Sequence, residues 1–185
     1  MQEAIIEILA YNNPYSYFAV ENFLSPEEYR TIKESALASV RWESSPEYHD
    51  RYGIICEPRV LRNMVGKEMR NFISELLGVK VERHQGSIPQ LRSTLGIKNG
   101  VDRHTDSTCG FNVGVFLHLT DWLPEMGGDL QIWSQNKNDF QLENTIQPKA
   151  NTLVVLAFSK KSFHSVTPVV KDVERITLLS EWSYA

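Results

Sequence analysis

Seven short segments in the second half of the chain either alternate apolar and polar residues or are rich in β-branched residues. Turn residues separate them, as is typical of antiparallel strands in a sandwich or barrel. We predict a mainly β chain with flanking helices, an α+β fold built on a double-stranded β-helix, or jelly roll, open at one end. The segments are 79–83, 90–97, 112–119, 129–133, 152–158, 165–170 and 175–183.

Two helices are predicted before these strands. The run Ser25-Pro26-Glu27-Glu28 has the form of a capping box with a proline at the first helical position, which opens a helix ending near Val40. A second helix is predicted over residues 57–77, where apolar residues recur at helical spacing and Gly78 follows as the C′ residue. Both helices are expected to pack on the outside of one sheet.

The length of 185 residues fits one domain, residues 1–185. Within it we expect a helical support over about 1–78 and a jelly-roll core over about 79–185. No signal peptide or membrane span is recognised, and two cysteines in no C-x-x-C pattern favour a reducing compartment. A cytoplasmic protein is therefore expected. The net charge of −4 gives no reason to expect nucleic acid or an anionic membrane as a partner.

The triplet His104-Thr105-Asp106 lies where a strand runs into a turn. Residues i and i+2 of a strand point the same way, so His104 and Asp106 can reach one metal ion, and His164, sixty residues after His104, is the candidate third ligand. Two imidazoles and one carboxylate occupy one side of an octahedral ferrous ion and leave the opposite side open for a bidentate co-substrate and dioxygen.

Arg175 lies eleven residues after His164, in the strand predicted next. A guanidinium fixed in a strand can form a bidentate pair with a carboxylate. This geometry suits the distal end of a dicarboxylic acid whose other end chelates the metal. The alternative for Arg175 is a cation on the surface of the sheet.

In several segments the chain resembles the iron- and 2-oxoglutarate-dependent dioxygenases, in particular the prolyl 4-hydroxylase-like branch. This resemblance implies Fe(II), the co-substrate 2-oxoglutarate and O2, with ascorbate as a reductant, and hydroxylation of an unactivated C–H bond with release of succinate and CO2. The similar segments are 18–28, the approach to the first ligands at 99–106, the tryptophan and Gly-Gly hairpin at 121–133, and 164–169.

Two further residues are candidates for co-substrate binding through the resemblance. His118 stands at a strand position where the family often has a tyrosine that touches the far carboxylate of 2-oxoglutarate; its alternative role is a core imidazole bonded to a hydroxyl. Thr94 stands ten residues before His104, where relatives commonly carry another tyrosine. Trp182 follows Arg175 by seven residues, where six are usual, which predicts a difference of strand parity or a bulge.

The substrate expected from the resemblance is a prolyl residue in a peptide or protein, or a small amino-acid-like molecule. Asp106 argues against the related halogenases, which carry a small residue there. Residues 43–53, rich in polar side chains and tyrosine, are a candidate lid. Cys109 is expected to be a small buried hydrophobic residue, the alternative being a thiol whose oxidation inactivates the protein.

Other classes of function remain open at this stage. A cupin-like metal-binding module or isomerase without oxygen chemistry would bind a metal and be indifferent to 2-oxoglutarate. A non-enzymatic interaction domain would bind neither. The nucleobase demethylases of the AlkB type resemble this arrangement, but the residues that follow their arginine are missing after Arg175.

Overall fold

The computed structural model describes residues 7–44, 51–96, 100–137 and 139–185. Within these ranges it contains three α-helices and thirteen β-strands. In chain order the elements are β1 (Glu7–Tyr11), β2 (Tyr17–Glu21), α1 (Pro26–Ser39), β3 (Glu43–Ser44), β4 (Arg51–Ile54), α2 (Pro58–Val65), α3 (Lys67–Leu77), β5 (Val81–Arg83), β6 (Gln90–Leu95), β7 (Val101–His104), β8 (Val113–His118), β9 (Leu130–Asn136), β10 (Asp139–Ile146), β11 (Leu153–Ala157), β12 (Phe163–Val166) and β13 (Glu174–Tyr184).

The strands form two antiparallel sheets. The major sheet has the order β1-β2-β11-β8-β13-β6-β4-β3, and β5 pairs with β13 beside this path. The minor sheet has four strands in the order β10-β9-β12-β7. Long chain connections therefore join strands that are neighbours within a sheet, and the result is the predicted jelly roll.

Helix α1 begins as predicted. The Ser25 hydroxyl accepts a hydrogen bond from the Glu28 N–H, and the Glu28 side chain accepts one from the Ser25 N–H, which completes the capping box. Ile32 and Ala36, on the side of the helix that faces the sheet, are buried. This contact fixes α1 on the sheet below it.

The second predicted helix is two helices, α2 and α3, because the chain is extended at Gly66. A Cβ atom at Gly66 would lie 2.1 Å from the carbonyl oxygen of Arg62, so this position accepts only glycine without a shift of the backbone. Helix α3 ends as predicted at Gly78, which has φ +66°.

All three helices lie on the outer side of the major sheet. The core between them contains Ile32, Val60, Met64 and Ile73 from the helices and Leu91, Val113, Val115, Leu117, Leu178 and Trp182 from the strands. A second core lies between the two sheets and includes Tyr17, Leu130, Ile132, Val154 and Leu156. The helices therefore cover one side of the major sheet and leave the other side to the minor sheet.

The description of residues 1–78 as a helical support needs correction, because β1, β2, β3 and β4 also lie there and belong to the major sheet. Strand β10 was not predicted either. Most of its residues are exposed, but Phe140, Leu142 and Ile146 alternate with polar residues, a strand pattern that the sequence analysis missed. The strand predicted at 165–170 begins earlier, at Phe163, and ends at Val166, two residues before Pro168, which has no N–H to donate to a sheet.

Residues 45–50 of the candidate lid lie outside the described ranges, whereas its two ends form the antiparallel pair β3–β4. Among the helices that the structure describes, none is long and apolar enough to cross a membrane.

Candidate active site

Three side chains meet at the inner side of the minor sheet. His104 ends β7 and stands directly opposite His164 of β12 in the antiparallel register, with ring centroids 4.3 Å apart. Asp106 follows β7. Its Oδ1 lies 3.7 Å from His104 Nε2, and its Oδ2 lies 3.5 Å from His164 Nε2. One potential ligand atom from each residue lies within 4.8 Å of the others. The structure thus brings the three predicted metal ligands together.

The two histidines are oriented by backbone carbonyl groups. His104 Nδ1 lies 2.7 Å from the carbonyl oxygen of Asp102, and His164 Nδ1 lies 3.0 Å from that of Ser162. A carbonyl oxygen only accepts, so each Nδ1 carries the hydrogen and each Nε2 presents a free lone pair. This tautomer is the one that metal-binding histidines adopt, so the residues fit a bound metal ion.

The Asp106 carboxyl group is ionised. Burial by itself disfavours the charged form, but the neighbouring His164, His104 and Arg92 outweigh it, so the pKa of Asp106 is lowered. An anionic oxygen donor beside two neutral imidazole nitrogens is a set of ligands suited to Fe(II).

The opposite side of the site belongs to the major sheet. Arg175, near the start of β13, donates a hydrogen bond from Nε to the carbonyl oxygen of Gly128 at 3.0 Å. Burial lowers the pKa of Arg175 to about 10, while the charge of Asp129 opposes this shift. The guanidinium therefore remains charged at neutral pH and available to a carboxylate.

His118 is buried, with 2% of its surface exposed. Its Nδ1 lies 3.4 Å from the hydroxyl of Thr177, and its Nε2 is buried without a hydrogen-bond partner among the described residues. Burial, with a contribution from Arg175, places the pKa of His118 well below its usual value, so the ring is neutral. The hydroxyl partner agrees with the core-imidazole interpretation, and the open Nε2 leaves room for a ligand contact.

A cavity of about 670 Å³ joins these groups. It is lined by the three residues of the triad on one side and by Arg175, His118 and Thr94 on the other. Thr94 stands opposite Arg175 in the register between β6 and β13. All six predicted site residues therefore face one space, and its volume is ordinary for a small-molecule site.

The sequence analysis missed two residues near the triad. Arg92 also lines the cavity, two residues before Thr94 on β6, a spacing that places both side chains on one side of the sheet. Tyr15 is buried, and burial raises its pKa, with smaller contributions from Tyr17 and Asp106. Strand alternation was enough to find Arg92, whereas no sequence pattern pointed to Tyr15.

Cys109 is exposed, so the expectation of a small buried hydrophobic residue is wrong. It lies in the turn after Asp106, and its Sγ stands 3.8 Å from Asp106 Oδ1. Partial burial and the nearby carboxylate raise the pKa of the Cys109 thiol, which keeps it protonated and less easily oxidised.

Trp182 lies on the other side of β13 from Arg175, in the core beneath the helices. Between residues 174 and 182 the register with the neighbouring strands runs without a shift. The spacing of seven residues therefore reflects a difference of strand parity and not a bulge.

Residues 97–183 match the model of the 2OG-Fe(II) oxygenase superfamily. This part of the chain belongs to that superfamily. The family name refers to 2-oxoglutarate (2OG) and to Fe(II). In the cavity, Arg175 is the candidate for binding the first, and the triad is the candidate for binding the second.

Two solved structures and one curated protein are similar over most of the chain. A prolyl-4-hydroxylase of Pseudomonas putida has a TM-score of 0.67 at 17% identity, with 91% of this chain and 92% of that chain covered. A prolyl hydroxylase of Trichoplax adhaerens, in complex with a peptide fragment of hypoxia inducible factor, has a TM-score of 0.64 at 16% identity, with 91% and 83% covered. The chain thus shares its fold with these two prolyl hydroxylases.

The curated relative is prolyl 3-hydroxylase OGFOD1 of Mus musculus, 21% identical over 189 residues. The alignment covers 93% of this chain but 33% of the mouse protein. This chain therefore spans about a third of the length of that relative.

Proposed function

We propose that this chain is a 2-oxoglutarate- and O2-dependent hydroxylase whose iron is held by His104, Asp106 and His164. The observation that carries the proposal is the tautomeric state of the triad: both Nδ1 atoms are bonded to carbonyl oxygens and both Nε2 atoms are free beside one carboxylate. A core cluster of histidines would satisfy these nitrogens within the protein.

The chain's own residues supply binding and orientation. Arg175 holds the distal carboxylate of 2-oxoglutarate, and its bond to the Gly128 carbonyl fixes the plane of the guanidinium before the ligand arrives. His118 and Thr94 are proposed as further contacts along the same wall of the cavity. When bound, iron supplies the activation of O2.

Over the whole reaction, O2, 2-oxoglutarate and a substrate C–H bond give a C–OH group, succinate and CO2. One oxygen atom enters the new carboxylate of succinate and the other enters the hydroxyl group. The protein needs no separate general base for this balance.

We propose as substrate a prolyl residue in a peptide or protein, or a small amino-acid-like molecule. Two relatives are named as prolyl hydroxylases and a third as a prolyl 3-hydroxylase, and one of them is seen with a peptide. The cavity is open to solvent at the triad, where His104 and Asp106 are partly exposed, so a chain can approach it. A cytoplasmic location and a single domain over 1–185 complete the proposal.

The test is visible absorption under anaerobic conditions, with ferrous iron added first and 2-oxoglutarate second. A charge-transfer band is expected only when both are present. It should be lost in Asp106→Ala and weakened in Arg175→Ala. Asp102→Ala is the matched control, since Asp102 lines the same cavity but contributes only its backbone carbonyl to the site.

A folded protein that binds iron and shows no band with 2-oxoglutarate contradicts the proposal. It would favour the cupin-like alternative, in which the metal is structural or acts as a Lewis acid. A band of equal strength in Asp102→Ala and Asp106→Ala would also contradict it, because the triad would then not hold the iron.

A further inference from the structure

We propose that Arg92 binds a carboxylate group of the substrate, so that the substrate is an acid. This inference rests on the proposed hydroxylase function and narrows its substrate class. It concerns a side chain that has no part in the metal triad or in the Arg175 site.

Arg92 lies on the inner side of the major sheet, in β6 between β13 and β4. Its neighbours in β6, Leu91 and Ser93, are buried, whereas the Arg92 side chain lines the cavity. Across the register it stands opposite Thr177, which in turn stands opposite His118. The guanidinium therefore enters the cavity from a strand that is paired on both sides.

The guanidinium of Arg92 has no protein partner in the described part of the chain. Its Nε is buried and makes no hydrogen bond, and burial lowers the pKa of the group, while Glu181 and Asp106 act on it only through their charges. The residue is half-buried, and a buried N–H without a hydrogen-bond partner is costly. A site of this kind calls for an anion that is absent from the bare protein.

The other two arginines that line the cavity do have partners. Arg175 bonds to the Gly128 carbonyl, and Arg103 stacks over Trp133 and Phe140, with its Cζ atom 5.1 Å and 3.6 Å from the two ring centroids. Arg92 thus differs from both in having neither a hydrogen bond nor a ring contact among the described residues, and its planar set of N–H donors is unused. Such a set matches a carboxylate in a bidentate pair.

The position of Arg92 separates it from the co-substrate site. Arg92 stands opposite Thr177 and Arg175 stands opposite Thr94 in the register between β6 and β13, so the two arginines are two residue positions apart along the sheet. Arg92 and the triad line the same cavity. We expect a substrate that places its reacting C–H bond beside the metal to have its acid group within reach of Arg92.

The first experiment follows the Nε–H groups of the arginines by 15N NMR in protein loaded with zinc and saturated with 2-oxoglutarate. Acetate is the probe, and the signals are assigned with Arg92→Lys, Arg103→Lys and Arg175→Lys. We expect 2-oxoglutarate to shift Arg175, and acetate to shift Arg92 afterwards, while Arg103 stays unchanged.

Two results would overturn the assignment. If 2-oxoglutarate alone shifts Arg92 and acetate then has no effect, Arg92 belongs to the co-substrate site. If acetate leaves Arg92 unchanged and Glu181→Gln shifts it, the arginine is held by Glu181 and serves the protein only. In either case the charge-transfer band still reports on the proposed function, so the two failures are distinguishable.

The second experiment measures succinate formation with a panel of free L-amino acids and their primary amides, L-proline and L-prolinamide included. We expect at least one acid to stimulate turnover about ten-fold more than its amide, since the amide leaves the guanidinium without its charged partner. Arg92→Met should remove this preference. Arg103→Met, which removes a cavity charge that already has partners, should keep the preference. Equal stimulation by acids and amides in the wild-type protein would contradict the proposal.

Discussion

Gly128 and Arg175 are related by a hydrogen bond and by a close approach of the arginine side chain to the glycine Cα. The Gly128 carbonyl oxygen accepts the hydrogen bond from Arg175 Nε at 3.0 Å, and a Cβ atom at Gly128 would lie 2.8 Å from Arg175 Cδ. Gly128 also has φ +74°, a conformation that favours glycine. The glycine therefore both positions the guanidinium and leaves the space through which it reaches the cavity.

Replacing this glycine should affect co-substrate binding. Gly128→Ala should push the Arg175 side chain aside and raise the dissociation constant of 2-oxoglutarate about ten-fold, which corresponds to the loss of about 1.4 kcal/mol. The measurement is an anaerobic titration of the charge-transfer band. Gly86→Ala is the control, because Gly86 has φ +83° and nothing within 4 Å of the added methyl group, so it shares the backbone strain and not the contact.

Metal binding should stabilise the folded chain. A ligand that binds only the native state adds about 2.7 kcal/mol at a concentration one hundred times its dissociation constant. Addition of Mn(II) should therefore raise the midpoint of thermal unfolding of the wild-type protein by several degrees, as measured by circular dichroism. His164→Ala and Asp106→Ala should lose this shift, and an equal shift in Asp106→Ala would show that the metal binds elsewhere.

The stability of the chain should fall in mild acid because of His118. The folded protein keeps this ring neutral, whereas the unfolded chain takes up a proton below about pH 6.5, its ordinary pKa. The unfolded state then binds more protons, so the free energy of unfolding decreases by up to about 1.4 kcal/mol per pH unit below that value.

This dependence is measured by urea unfolding at pH 7.5 and pH 5.5. His118→Gln removes the titrating group, so its loss of stability between the two pH values should be smaller than that of the wild-type protein. An unchanged difference would mean that other groups cause the acid sensitivity.

The start of α1 offers a test of local stability away from the cavity. Ser25→Ala removes the hydroxyl that accepts from the Glu28 N–H, and it should lower the free energy of unfolding by about 1 kcal/mol. Ser39→Ala is the matched control in the last turn, where the hydroxyl donates to the Ala36 carbonyl and satisfies no free N–H. Equal effects of the two changes would argue against the cap as the cause.

The sequence was informative where chemistry or periodicity constrains the side chains. His104 and Asp106 share one side of a strand end by their spacing, and the alternation around His118 placed that ring inside. The cap at Ser25 and the end of α3 at Gly78 followed from local backbone rules. These features depend on residues close together in the chain.

Other features depend on packing partners that a single segment does not reveal. Strand β10 pairs with β9 through its backbone while its side chains remain largely exposed, so the alternation of Phe140, Leu142 and Ile146 with polar residues does not show which strand it joins. The break at Gly66 follows from close approach to the Arg62 carbonyl. Alternation with Thr94 places Arg92 on the same side of β6, but only the fold shows that this side lines the cavity.

The two sides of the cavity come from different sheets, with the triad on the minor sheet and the arginines Arg92 and Arg175 on the major one. A molecule that binds the metal at one end and Arg175 at the other links the two sheets non-covalently. Each reaction cycle would then form and break this link between the minor and the major sheet. Resistance to mechanical pulling should accordingly be greatest while the co-substrate is whole and should drop once it has been cleaved.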